Sequence, residues 1–153
     1  MAKHRILHIR DSSGIYGGER VILTLGKNMV QRGQFEFSLL CMRRPDGKSE
    51  ALISSARNLG IPVHPVGVNG RLDPAAILQI RSYIRENGVS LIHTHDFKSD
   101  FYGLWATLNL DVKRVTTAHG STRDSIVKKL YLFLDEQLAY SSYDRVIAVS
   151  EEL

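Results

Sequence analysis

Short apolar runs alternate with amphipathic segments along all 153 residues, the pattern of repeated strand–helix–strand units that build a parallel sheet. Six segments read as strands: residues 5–10, 35–41, 62–66, 89–95, 114–118 and 145–149. The third, Pro62-Val63-His64-Pro65-Val66, carries two residues without a backbone N–H and therefore belongs at a sheet edge. Three segments have helical spacing. Val21, Leu25 and Met29 recur four apart with Ile22 and Val30 beside them, and Gly33 supplies the stop. Asp73 and Pro74 read as N-cap and first residue of a helix carrying Ile77, Ile80 and Ile84, with Asn87-Gly88 ending it. In the last, Ile126, Leu130, Leu134 and Leu138 form a stripe that is expected to pack on the sheet, with Lys128, Lys129, Asp135 and Glu136 facing away. No internal repeat, low-complexity tract or linker interrupts this order, so the expectation is one α/β domain over residues 1–153. Right-handed crossovers would wind it into a doubly wound parallel sheet of about six strands with helices on both faces.

Composition changes this picture little. The hydrophobic fraction of 43% and charged fraction of 24% are ordinary for a globular chain, large enough to bury most of its unfolded surface. A single cysteine, Cys41, excludes an internal disulfide framework and points to a reducing cytoplasm; on its apolar strand it is expected to be buried and inert. No signal peptide or bilayer-spanning run is present in the sequence, leaving a peripheral contact at the inner membrane face as the membrane option. The formal charge of +4 suits an anionic partner. Arg43-Arg44 and Lys128-Lys129 are short pairs with no nucleic-acid-binding motif around them, so nucleic acid is not expected as a partner.

In doubly wound sheets ligands bind beyond the carboxyl ends of the strands, which gives weight to the polar residues found there. The first strand runs into Asp11-Ser12-Ser13-Gly14-Ile15-Tyr16-Gly17-Gly18 before Glu19 opens a helix. Such a loop lets backbone N–H groups approach an anion at a helix N-terminus; it matches neither G-x-G-x-x-G nor a P-loop, and a flexible turn explains it equally well. The fourth strand ends in His93-Thr94-His95-Asp96. Alternation puts both histidines on one face, where they could chelate a metal with a further ligand from Asp96, Asp100 or His119; a hydrogen-bonded core histidine is the preferred reading of His93. Phe97, Lys98, Phe101, Tyr102 and Trp105 follow, offering a stack for a sugar or ordinary packing, with Lys98 a candidate phosphate contact. At the tip of the fifth strand, Thr117-Ala118-His119-Gly120 presents a histidine that either binds ligand or caps the turn, and Arg123 beyond it is read first as a salt-bridge partner.

Taken together, Gly17-Gly18-Glu19-Arg20-Val21, Thr117-Ala118-His119-Gly120 and Tyr143-Asp144-Arg145-Val146-Ile147-Ala148-Val149-Ser150 resemble the N-terminal half of family 4 retaining glycosyltransferases. Those are two-domain enzymes of the GT-B fold, and the resemblance implies a Rossmann-like domain on the acceptor side, with the nucleotide-sugar-binding domain outside this chain. It implies Gly17, Gly18, His119 and Gly120 near the donor, His119 being the residue closest to catalysis. It implies Tyr16, His95, Asp96 and Lys98 near the acceptor. Tyr16 departs from the glycine usual at its position, and Gly18 stands where alanine is common. The implied partners are a nucleotide-sugar donor and a carbohydrate or lipid-linked acceptor, as in glycan biosynthesis, and no metal or other cofactor is required. On this reading the chain alone would be catalytically silent. Two other classes remain open from the residues: a metal-dependent hydrolase using His93 and His95, and a non-catalytic carbohydrate- or protein-binding module.

Overall fold

The computed structural model describes residues 4–70, 72–118, 137 and 141–149. Among them six parallel strands form one sheet in the order β3-β2-β1-β4-β5-β6. The strands are β1 (Arg5–Asp11), β2 (Glu36–Arg43), β3 (Val63–Gly67), β4 (Leu91–Thr94), β5 (Lys113–Ala118) and β6 (Arg145–Ala148). The helices are α1 (Gly17–Arg32), α2 (Glu50–Asn58), α3 (Pro74–Glu86) and α4 (Phe97–Thr107). The doubly wound α/β architecture expected from the apolar pattern is thus present, and the proline-bearing β3 lies at an edge as its sequence requires. The predicted helical stripe over 126–138 lies outside the described residues except for Gln137, which is helical.

Period-two alternation distributes the strands' side chains over two cores. Leu7 and Ile9 of β1, Leu40 and Met42 of β2 and Ile92 of β4 meet Ile80 and Ile84 of α3 and Tyr102 and Ala106 of α4. On the opposite face Phe37, Leu39 and Cys41 of β2 meet Ile22 and Leu23 of α1 and Leu52 and Ile53 of α2. Cys41 is fully buried, and burial pushes its thiol up to about 12, so it is inert as expected. The caps follow the sequence: Asp73 accepts hydrogen bonds from Ala75 and Ala76 N–H ahead of Pro74, and Gly33 closes α1 in the left-handed conformation with its N–H on the Met29 carbonyl.

Three expectations are corrected. The buried face of α1 carries Glu19, Ile22, Leu23 and Gly26, whereas Val21 is 52% exposed and Leu25 and Val30 also face outward. The reason is Gly26, where a Cβ would lie 2.7 Å from the Phe37 ring and 2.8 Å from Ile61 Cδ1. The point of closest approach between helix and sheet is therefore a residue with no side chain to register in an apolar stripe. Helices α2 and α4 were not anticipated; α4 is aromatic-rich and interrupted by Gly103, so it lacks a readable stripe, and its Asp96–Ser99 capping pair sits in a segment read as a strand end. The fourth strand is also shorter than predicted, because the His95 N–H leaves the ladder to bond Ser99 Oγ.

Gly→Ala in a helix interior ordinarily stabilises by up to about 1 kcal/mol. At Gly26 the opposite sign is expected, a loss of about 1–3 kcal/mol from overpacking against a rigid ring, read as a lower urea midpoint at unchanged slope.

Candidate functional site

In the strand order found here, the direction of winding reverses at β1, whose successor on one side is β2 and on the other β4. The crevice at that reversal, beyond the carboxyl ends of β1 and β4, is where an open α/β sheet binds ligand. Two segments meet there: the loop from Asp11 to Tyr16 with the start of α1, and the loop His95-Asp96 with the start of α4.

Arg10, the penultimate residue of β1, organises the junction. Its Nε donates to Glu19 Oε1 at 2.8 Å, and its Nη1 donates to the His95 carbonyl at 2.5 Å and lies 3.4 Å from Asp96 Oδ2. Glu19 is completely buried and its second oxygen accepts the Tyr16 N–H at 3.0 Å, so the start of α1 is fixed to β1. Burial alone would raise the Glu19 carboxyl, but the Arg10 charge and the hydrogen bonds from Arg10 and the backbone outweigh it and hold Glu19 below its usual range. Asp96 caps α4 through Oδ1, accepting from Ser99 N–H, while Oδ2 accepts from Asp11 N–H. Asp11 in turn has Arg44 at 3.6 Å and Lys98 at 3.8 Å on Oδ2, and its Oδ1 is buried with no hydrogen-bond partner among the described residues. Its pKa is raised, first by burial and then by the Asp96 charge, with Lys98, Arg44 and Arg10 opposing. Three cations and three carboxylates thus interlock here, so the chain's positive net charge is not concentrated as a free basic patch at the crevice.

Beneath this layer lies a column of histidines. His8 of β1 stands opposite His93 of β4 in the parallel register, and His95 follows two residues on. His8 Nδ1 is 2.8 Å from His95 Nε2, His93 Nε2 is 2.7 Å from Thr117 Oγ1, and the His93 and His95 rings stack with centroids 4.3 Å apart. Burial first, and the neighbouring His93 second, keep the His8 pKa well below its usual value, which leaves that ring neutral.

Gly17 and Gly18 are the first residues of α1 rather than part of the preceding loop, so their N–H groups belong to the unsatisfied donors of a helix N-terminus. A Cβ at Gly17 would meet open space. Tyr16, the residue before α1, is 62% exposed at the crevice. His95 is buried behind Asp96 and bonded to His8, and Lys98 faces Asp11 and the Tyr102 ring. Trp105 is half exposed on α4, whereas the Tyr102 hydroxyl accepts the Asp73 N–H. His119, Gly120 and Arg123 lie outside the described residues. His8 and Arg10 were missed. Their signal is the His-x-Arg alternation in the first strand, which gains meaning only when β1 is known to pair with β4 and its His-x-His. A cavity of about 450 Å³ lined by Arg5, Phe35, Glu36, Tyr83 and Asn87 opens at the amino ends of the strands, the wrong end for a ligand in this fold.

The comparisons with known proteins agree with this doubly wound architecture and give its family. The sequence profile of Glycosyltransferase Family 4 matches residues 15–153, and the chain belongs to that family. No curated protein matches it by sequence. Among solved structures, HepE of Anabaena in complex with UDP and glucose is 18% identical with a TM-score of 0.77, the match covering 97% of this chain and 38% of that one. MurG of Acinetobacter baumannii is 17% identical with a TM-score of 0.67, covering 96% and 42% of the two chains. Sucrose-phosphate synthase of Thermosynechococcus elongatus is 16% identical at 0.61, covering 97% and 78%. These likenesses show a Rossmann-like fold of the GT-B type, and the chain spans about two-fifths of the length of HepE and MurG.

Replacing Glu19 with Gln is expected to lower stability at pH 7 by about 2 kcal/mol, because a charged hydrogen-bond acceptor is lost while Arg10 stays partly buried. The wild-type contribution is present above the ordinary Glu value of 4.5 and is lost as pH falls through the depressed folded value, since the unfolded state then binds the extra proton first. Urea unfolding at stepped pH should therefore show a larger acid-side loss in the wild type than in Glu19→Gln, which keeps the other depressed carboxylates.

Proposed function

We propose that this chain is the acceptor-side half of a retaining glycosyltransferase that moves a sugar from a nucleotide-sugar donor to a carbohydrate or lipid-linked acceptor. The observation that carries the reading is the coincidence of the family match with a glycine-started helix at the winding reversal, held there by Arg10 and Glu19. In the transfer, the acceptor hydroxyl oxygen bonds the anomeric carbon, the bond from that carbon to the diphosphate oxygen breaks, and the hydroxyl proton leaves with the departing diphosphate. Configuration at the anomeric carbon is kept.

The chain's own contributions follow from the positions of its residues. The N-terminus of α1, with Gly17 and Gly18 leaving its N–H groups unobstructed, faces the diphosphate and favours its growing negative charge. Tyr16 forms the exposed wall on which a sugar ring can lie. Asp96 and Lys98 border the acceptor, with His95 behind them keeping Asp96 in place through its backbone. His119, carried over from the family motif, orients the donor sugar. The nucleotide is gripped by a second domain outside this chain, as the resemblance to the two-domain GT-B family implies, and closure of the two halves excludes water. The transfer uses no metal. No helix among the described residues is long and apolar enough to cross a membrane, and a lipid-linked acceptor would be met by peripheral contact at the inner membrane face from the cytoplasm.

Two outcomes test this. The 153-residue chain by itself should give no transfer from a panel of UDP- and GDP-sugars; turnover by the chain alone would refute the half-site assignment. In protein that includes the nucleotide-binding half, His119→Ala should lower kcat/KM by about 10²–10³-fold at unchanged Tm, the loss typical of one preorganised donor, whereas a binding module without transfer chemistry would leave partner binding untouched.

A further inference from the structure

We propose that His8, His93 and His95 form a binding site for one divalent transition-metal ion of the zinc class, a site separate from the transfer chemistry. The three residues come from two neighbouring parallel strands, with His8 and His93 in register and all three on one sheet face. One ring nitrogen from each lies within 4.8 Å of the other two. Three imidazoles around tetrahedral zinc, each about 2.0–2.1 Å from the ion, have nitrogens about 3.3 Å apart. The cluster brackets that value, with the His8 and His95 nitrogens at 2.8 Å on one side and the 4.8 Å envelope on the other. Small tilts of rings already packed with centroids 4.3–5.0 Å apart would admit the ion.

The donor set defines the ion's chemistry. Neutral imidazoles suit Zn²⁺, Cu²⁺ and Ni²⁺, while Mg²⁺ and Ca²⁺ require oxygen ligands that the cluster does not offer. The Thr117 hydroxyl beside His93 fixes the orientation of that ring, the usual service of an outer partner to a ligating histidine. His8 and His95 are buried and His93 is half-buried, and in the proposed site water would complete the shell that three histidines leave open. An ion there would tie β1 to the end of β4 directly under the Arg10 junction, cross-linking the two segments that form the crevice.

The test uses tag-free protein stripped with a chelator. Titration with Zn²⁺ should give one ion per chain that survives gel filtration, together with a rise in Tm that the chelator reverses, and Co²⁺ should give the intense visible bands of tetrahedral coordination. Mg²⁺ and Ca²⁺ should do neither. His93→Gln and His95→Gln should each weaken Zn²⁺ by more than about 100-fold, since disturbing only an outer partner costs about 10–100-fold. His64→Gln, which alters a histidine stacked on Tyr83 away from the cluster, should leave binding unchanged. Wild-type protein that keeps no stoichiometric Zn²⁺, octahedral Co²⁺ bands, or binding that survives both cluster variants would overturn the proposal. The Co²⁺ spectrum of the wild type decides the matter even where a variant fails to fold.

Discussion

A single guanidinium holds the crevice in shape. Arg10 bonds the buried carboxylate that starts α1 and the carbonyl that ends β4, and it lies beside the carboxylate that caps α4. Each of these groups is charged or polar and poorly solvated, so removing any one leaves another buried without its partner. The positions of Gly17, Tyr16 and Asp96 relative to one another are therefore set by electrostatics, with the two apolar cores fixing only the sheet beneath them. This explains how a loop rich in glycine and serine can present a defined helix N-terminus: its flexibility ends at Glu19, whose second oxygen takes up the Tyr16 N–H.

The same charges decide what the crevice does not offer. Lys98 and Arg44 both face Asp11, and Arg10 faces Glu19, so these three cations are already paired at the crevice, and in the proposed transfer a diphosphate would be met chiefly by helix N–H groups. The Asp11 oxygen that has no hydrogen-bond partner among the described residues lies within this arrangement, with the cations on its sister oxygen. Below it, the histidine column gives the sheet a polar stripe beside the apolar Phe37, Leu39 and Cys41 of β2, with His8 on His95 and His93 on Thr117.

The fold was legible because its signal is periodic. The prolines of β3, the Asp73-Pro74 cap and the Gly33 stop are local chemistry that survives translation into structure unchanged. The inward face of α1 was misread because its closest contact is through Gly26, and α4 was missed because aromatic residues and Gly103 mask its period. The site was legible only in part. Strand-end logic located His93, His95 and Asp96, but the roles of His8 and Arg10 depend on which strand neighbours β1, a nonlocal fact carried by crossover topology rather than by any motif. Those two residues read in sequence as an ordinary alternating strand.

The central claim is that this domain serves a transferase that keeps anomeric configuration. Its most direct test is proton NMR of the anomeric signal while the chain, joined to a nucleotide-binding half, turns over a nucleotide sugar in the presence of acceptor. The account predicts that the first product formed carries the donor's configuration. An inverted product, or an absence of transfer from every nucleotide sugar offered, would contradict it.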